Sequence, residues 1–187
     1  MTLLQSVCVY CGSSSGQNPA YAAAARDMGE ALAASDRTLV YGGGNVGLMG
    51  EMARAMMAAG GRVIGVIPEH LNTRERAYHA VDLRVVGTMH ERKQLMADLA
   101  DAFVALPGGL GTFDELFEIL TWNQIGLHGK PVGLLNVAGY FDKLLDLIGQ
   151  AVDEEFSPPT ARSQILVRKD PSELLDALAR RLGPLAE

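Results

Sequence analysis

The sequence predicts an α/β fold, doubly wound, with a mostly parallel sheet flanked by helices on both faces in the Rossmann-like manner. Three observations carry that prediction. Short β-rich apolar runs alternate with stretches of helical period, the runs are apolar on both faces, and glycine turns recur at the steps from strand to helix.

Ser6 to Tyr10 is a continuous apolar run and forms the first strand. Gly12, three serines and Gly16 follow it and lead into an alanine-rich helix over Pro19 to Ala34. Thr38 to Tyr41 is the second strand, residues 42–44 are its glycine exit turn, and Leu48 to Ala59 is its helix, stopped by Gly60 and Gly61. The third strand, Arg62 to Ile67, is rich in valine and isoleucine. Behind it Pro68 to Val81 is the least regular stretch, charged and poor in periodicity, and it reads as an active-site loop. Leu83 to Val86 is the fourth strand, Met89 to Ala100 a helix, and Ala102 to Leu106 the fifth strand. A turn almost devoid of side chains, Pro107-Gly108-Gly109-Leu110-Gly111, then opens a helix over Thr112 to Ile125. Gly129 and Lys130 stop that helix before the sixth strand, Pro131 to Leu135. Tyr140 to Glu154 is helical, Ile165 to Arg168 is a seventh strand, and Pro171 to Leu182 is the last helix.

A chain of 187 residues with 48% hydrophobic content is long enough for one well-buried core and short for two, so one domain over residues 1–187 is expected. The net charge of −6 and the scattered basic residues argue against nucleic acid or an anionic membrane as partner. No apolar run approaches the roughly 18 residues of a membrane span, and the first residues lack a basic, signal-like pattern. The expected compartment is the cytoplasm. Cys8 and Cys11 form a C-x-x-C, which invites a thioredoxin-like reading; Cys8, however, lies inside a strand rather than at a helix start, so buried or turn cysteines are expected. His70, His79, His90 and His128 show no metal-ligand spacing, and neither a metal nor a cofactor is expected.

Three of the glycine turns, at Gly12, at Gly42 to Gly44 and at Gly108 to Gly109, leave the carboxyl ends of strands. In a parallel sheet those ends share one edge, where ligands bind. The turn at residues 107–112 is suited to an anion: its glycines let backbone N–H groups approach a ligand, and the helix behind it adds unpaired donors and about half a positive charge. Gly42, Gly44 and Gly47 also match the G-x-G-x-x-G of dinucleotide enzymes, with Glu69 downstream as a ribose-binding acid. That opens a second reading, an NAD(P)-dependent oxidoreductase. A third is a nucleotide or cofactor carrier that binds without turnover.

Glu115 admits two interpretations. Thr112-x-x-Glu115 is a capping-box pattern, and those four residues alone favour capping. The helix Met89 to Ala100, however, places Arg92 on the stripe of Met89, Met96 and Leu99, the face directed at the sheet. A guanidinium there needs a partner or a polar cavity, and Glu115 is the nearest acid by topology.

Tyr41 to Gly50 (YGGGNVGLMG), Met89 to Lys93 (MHERK) and Pro107 to Glu115 (PGGLGTFDE) resemble the Lonely Guy (LOG) family of cytokinin-activating nucleotide phosphoribohydrolases, and the resemblance extends through most of the chain. It implies hydrolysis of the N-glycosidic bond of an N6-isoprenoid adenosine 5′-monophosphate, with plain AMP as a second substrate. It also implies Arg92 and Glu115 in catalysis, with Lys93, Gly108, Gly109, Gly111, Thr112 and Thr121 around the nucleotide. Gly43 and Gly44 join this set from the second glycine turn, and Glu75 corresponds to an acid near the substrate, although the residues around it depart from the family's pattern. Members are often labelled lysine decarboxylase-like, yet no lysine here stands in a context suited to pyridoxal phosphate. A homodimer is implied as well, and the helix Thr112 to Ile125 carries more apolar residues (Phe113, Leu116, Phe117, Ile119, Leu120, Trp122) than one sheet face needs.

Overall fold

The computed structural model describes residues 4–73 and 77–183. In chain order these form β1 (Ser6–Tyr10), α1 (Pro19–Ala34), β2 (Thr38–Tyr41), α2 (Gly47–Ala58), β3 (Val63–Pro68), β4 (Asp82–Val86), α3 (Met89–Leu99), β5 (Ala102–Ala105), α4 (Leu110–Gln124), β6 (Val132–Leu135), α5 (Asp142–Asp153), the single turn α6 (Thr160–Ser163), β7 (Ile165–Arg168) and α7 (Pro171–Leu182). Short 3-10 turns follow β3 at Glu69–Leu71 and β6 at Val137–Gly139.

The strands build one seven-stranded sheet in the order β4-β3-β2-β1-β5-β6-β7, and every neighbouring pair is parallel. The chain winds outward from β1 to β4, then returns to the other side of β1 as β5. The order therefore reverses between β1 and β5, and a crevice opens there outside the carboxyl ends.

Helices on both faces explain why the strands are apolar at nearly every position. Along β1, Val7 and Val9 join the core beneath α1, α2 and α7, with Met28, Met52 and Leu174; Cys8 and Tyr10 join the opposite core beneath α3, α4 and α5, with Met96, Leu116 and Ile148. Ala102 and Val104 of β5 alternate with Phe103 and Ala105 in the same way. The edge strand β4 is only half-buried and carries Asp82 and Arg84, charges that discourage pairing with another chain.

The strands lie within a residue or so of their expected places, and α1, α3 and α7, which have side-chain caps, start where expected; the starts of α2, α4 and α5, which have none, differ. α1, α3 and α7 begin at side-chain caps: Asn18, Thr88 and Asp170 accept from the N–H groups of Ala20, Glu91 and Glu173. At Thr88 the box is complete, because Glu91 Oε2 accepts from the N–H of Thr88 (3.1 Å) and of Gly87 (2.7 Å). The box considered at Thr112 and Glu115 does not form: α4 starts earlier, with Gly109 as its N-cap and no side-chain cap. Expected at Tyr140, α5 starts at Asp142 after the 3-10 turn, and α6 is an additional element.

The cysteine pair is structural. Cys8 and Cys11 are both buried and unbridged, and burial pushes both thiols well above their ordinary range, so a thioredoxin-like role is set aside. Among the described residues, no helix is long and apolar enough to cross a membrane.

Candidate active site

The loops leaving β1, β2 and β5 meet backbone to backbone at the carboxyl edge. Gly12 donates to the carbonyl of Pro107 (3.0 Å), and Met49 at the start of α2 donates to the carbonyl of Gly12 (3.3 Å). Glycine is required at two of these contacts. A Cβ on Gly108 would overlap the Thr112 hydroxyl and press on the N of Gly12, and one on Gly47, at φ +60°, would run into the backbone of Ser13.

Around this junction lies a cavity of about 330 Å³, walled by Ser13, Gly42, Met49 and Leu71 on one side and by residues 109–112 and Glu115 on the other, with Arg92 between. The volume is within the range of small-molecule sites. The start of α4 forms one end of the cavity. With no side-chain cap, the first-turn N–H groups of Leu110, Gly111 and Thr112 have no intrahelical partner, and nothing lies within 4 Å of where a Cβ would sit on Gly109 or Gly111. Open space in front of an uncapped helix start suits a phosphate. The cradle is anchored from below, where the Tyr140 hydroxyl donates to the carbonyl of Gly108 and Thr112 is buried.

Arg92 and Glu115 meet on the cavity wall. Arg92 reaches inward from α3, where Nε donates to the carbonyl of Val66 (3.0 Å) and Nη1 to Glu115 Oε1 (2.7 Å); each residue is only 8% exposed. The ion pair inferred from topology is thus present. Burial pushes the Glu115 carboxyl above its ordinary value, and the Arg92 guanidinium opposes that shift without cancelling it. Such a carboxylate is a stronger base than an exposed one and is held in a single orientation. Arg92 Nη2 faces Gly42 at the cavity, so close that a Cβ there would overlap it.

The remaining expected residues divide. Gly44 forms an isolated bridge with Ala77 and borders an adjoining cavity. Gly43, at φ +72°, packs instead toward Ile67 and Leu83, and its carbonyl accepts from the N–H of Tyr78. Lys93 turns away from the cavity: its Nζ binds Asp114 (3.2 Å) and Glu118 (3.0 Å), fastening α3 to α4. Thr121 is exposed farther along α4, where its hydroxyl donates to the carbonyl of Phe117 (2.7 Å). Glu75 lies outside the described residues. The dinucleotide reading loses its physical basis, since Gly44 lies against the Met49 side chain, Gly47 against the backbone of Ser13, and Glu69 is exposed in the 3-10 turn.

Sequence reasoning did not single out Gly42, Ser13, Met49 or Leu71 as site residues. The first two lie in glycine turns already assigned to the binding edge, and Leu71 lies in the stretch expected to be an active-site loop. Met49 carried no signal beyond its position in the first turn of α2.

A family model described as "Possible lysine decarboxylase" matches residues 49–178. A protein of Oryza sativa subsp. japonica, named a probable cytokinin riboside 5′-monophosphate phosphoribohydrolase, is 50% identical over 183 residues, covering 95% of this chain and 73% of the relative. A cytokinin riboside 5′-monophosphate phosphoribohydrolase of Arabidopsis thaliana is 49% identical over 173 residues, covering 92% of this chain and 80% of the relative. Among solved structures, the Moco carrier protein of Chlamydomonas reinhardtii superposes with a TM-score of 0.71 over 97% of this chain and 99% of its own, at 22% identity, a likeness of fold.

Proposed function

The chain belongs to the Lonely Guy family of cytokinin riboside 5′-monophosphate phosphoribohydrolases, and from that premise we propose that, as one nucleotide-binding hydrolase domain, it cleaves the N-glycosidic bond of N6-modified adenosine 5′-monophosphates, and of AMP as a second substrate. The products are the free base and ribose 5-phosphate. The observation that carries this reading is the buried Arg92–Glu115 contact on the wall of a cavity whose other end is an uncapped helix start. The decarboxylase description fits poorly, because among the described residues no lysine lines this cavity and Lys93 is tied to two carboxylates.

The 5′-phosphate sits on the N–H groups of residues 110–112, and this holds the ribose over Glu115. As the base departs, positive charge grows at C1′ and the ring oxygen, and a fixed carboxylate in a dry wall stabilises that charge more than it does the neutral sugar. The same carboxylate orients the attacking water and takes its proton. Arg92 keeps Glu115 in place, and its Nη2 presents positive charge to the electron-rich leaving base, which takes its proton from water or another group.

The test is a panel of AMP and N6-substituted adenosine monophosphates with free base and ribose 5-phosphate both quantified. Equimolar release of the two products is expected. Binding across the panel with neither product released would leave a carrier, and tight NAD binding without release would favour an oxidoreductase.

The same proposal includes a homodimer and a cytoplasmic setting. α4 buries Leu116 and Ile119 against the sheet, but Leu110 (87% exposed) and Phe117 (41%), seven residues apart on one face, remain open to a second copy. Wild-type protein is expected at twice the chain mass by light scattering, and Phe117→Glu at the mass of one chain with the fold intact by circular dichroism. A Phe117→Glu protein that stays dimeric removes this face from the interface.

A further inference from the structure

The loop leaving β6 also emerges at the carboxyl edge, yet none of its residues lines the cavity of Arg92 and Glu115. It is costly all the same. Ala138 stands at φ +50°, a left-handed conformation that an alanine adopts only under constraint. Asn136 is buried, with its side-chain amide donating to Asp142 Oδ1 (2.7 Å) and its side-chain oxygen accepting from the N–H of Phe141 (2.8 Å). A buried polar network and a strained alanine in a loop remote from the ligand need another purpose, and the residue they set in place is Tyr140.

Tyr140 is held on three sides. Its ring stacks on Phe113 of α4, with centroids 6.4 Å apart and planes at 11°, and it meets Tyr21 of α1 and Phe141 edge to face at 5.6 and 5.1 Å. Its hydroxyl donates to the Gly108 carbonyl, which has no other partner among the described residues. Pro107 is fixed separately, since its carbonyl accepts from the N–H of Gly12.

The peptide joining Gly108 to Gly109 is trans and planar, so its C=O and N–H point in opposite directions. A carbonyl drawn toward Tyr140 sends the N–H of Gly109 the other way, and that N–H has no partner among the described residues. Flanked by two glycines, the same unit would otherwise turn over at little steric cost and present oxygen to an anion.

We infer that Tyr140 is a positioning residue for the 5′-phosphate: by holding the Gly108 carbonyl it keeps the Gly109 N–H turned to the cavity, as a donor beside those of residues 110–112. The inference rests on the phosphoribohydrolase reading, which puts the phosphate on this turn. Tyr140 lies outside the cavity lining, so it governs what the phosphate adds to binding and leaves the sugar and base alone.

The test measures equilibrium binding of AMP, and of adenosine, which lacks the phosphate, to wild type and to Tyr140→Phe. Wild type is expected to bind AMP more tightly than adenosine. Tyr140→Phe keeps the ring and its three aromatic contacts; it should weaken AMP about tenfold, the ordinary worth of one hydrogen bond to a charged group, and leave adenosine unchanged. A merely structural hydroxyl would weaken both ligands alike, and that result, or no change in either, overturns the inference. A wild type that binds the two equally overturns it as well. Should Tyr140→Phe fail to fold, the same substitution on an Ala138→Gly background, where glycine relieves the left-handed alanine, decides instead. If wild type releases no ribose 5-phosphate from AMP, the activity reading fails, while the difference in binding between AMP and adenosine still decides the role of Tyr140.

Discussion

Glu115→Gln is expected to bind adenine nucleotides with near-wild-type affinity and to lose about 10²–10³-fold in kcat, the usual effect of removing one preorganised electrostatic group. The variant keeps the shape of the cavity, and its amide oxygen still accepts from Arg92 Nη1, so what disappears is the negative charge facing C1′. The pH profile gives a second signature. Turnover needs the ionised carboxylate, and burial sets its pKa above the ordinary value, so wild-type kcat/KM should fall on the acid side earlier than an exposed glutamate would dictate. The glutamine variant should lose that limb.

Stability should behave differently. A carboxyl whose pKa is raised in the folded state favours folding in its protonated form. That contribution is complete below the unfolded pKa and is lost as pH rises through the folded one. At neutral pH the substitution is therefore not expected to lower the melting temperature. Near-wild-type turnover in Glu115→Gln would reduce the ion pair to a structural contact.

Arg92→Ala should damage both activity and stability. It removes the partner of a buried acid and the donor to the Val66 carbonyl, and it leaves a void beside Gly42. Breaking a buried pair from one side costs about 3–5 kcal/mol, which for a chain of this size corresponds to a melting point lower by roughly 10 °C. The loss should shrink toward acid pH, because the stranded Glu115 takes up a proton. Arg92→Lys should recover part of the stability but little of the activity, since an ammonium cannot serve Val66, Glu115 and the cavity together in the planar geometry of a guanidinium. An alanine variant as active and as stable as wild type would refute the arrangement.

How the residues divide between what was legible and what was not follows from the range of the interactions involved. The strands could be placed because burial from both faces makes every position of β1 and β5 apolar, a pattern local to a few residues. The binding edge could be placed because glycine turns after β1, β2 and β5 must emerge together in a parallel sheet. The pairing of Arg92 was legible because a charge on an apolar helix stripe is a local contradiction that only a distant partner resolves.

Other features depend on which loops touch. Two segments, residues 88–91 and 112–115, carry the same threonine-to-glutamate spacing, yet only the first caps a helix. The second cannot, because Gly109 already begins α4, the Thr112 side chain packs beneath Gly108, and Glu115 is occupied by Arg92. Lys93 differs from Arg92 by one step around α3, enough to exchange the cavity for Asp114 and Glu118 on the neighbouring helix. Gly42 and Gly43 are neighbours of one type, but the first faces a guanidinium and the second faces β3 and β4. Periodicity and turn chemistry, which act over a few residues, specified the α/β winding, the ligand-bearing edge and the acid–guanidinium pair. The uncapped helix start, the outward turn of Lys93 and the cavity beside Arg92 came only with folding, because each depends on atoms that distant segments bring within a few ångströms of one another.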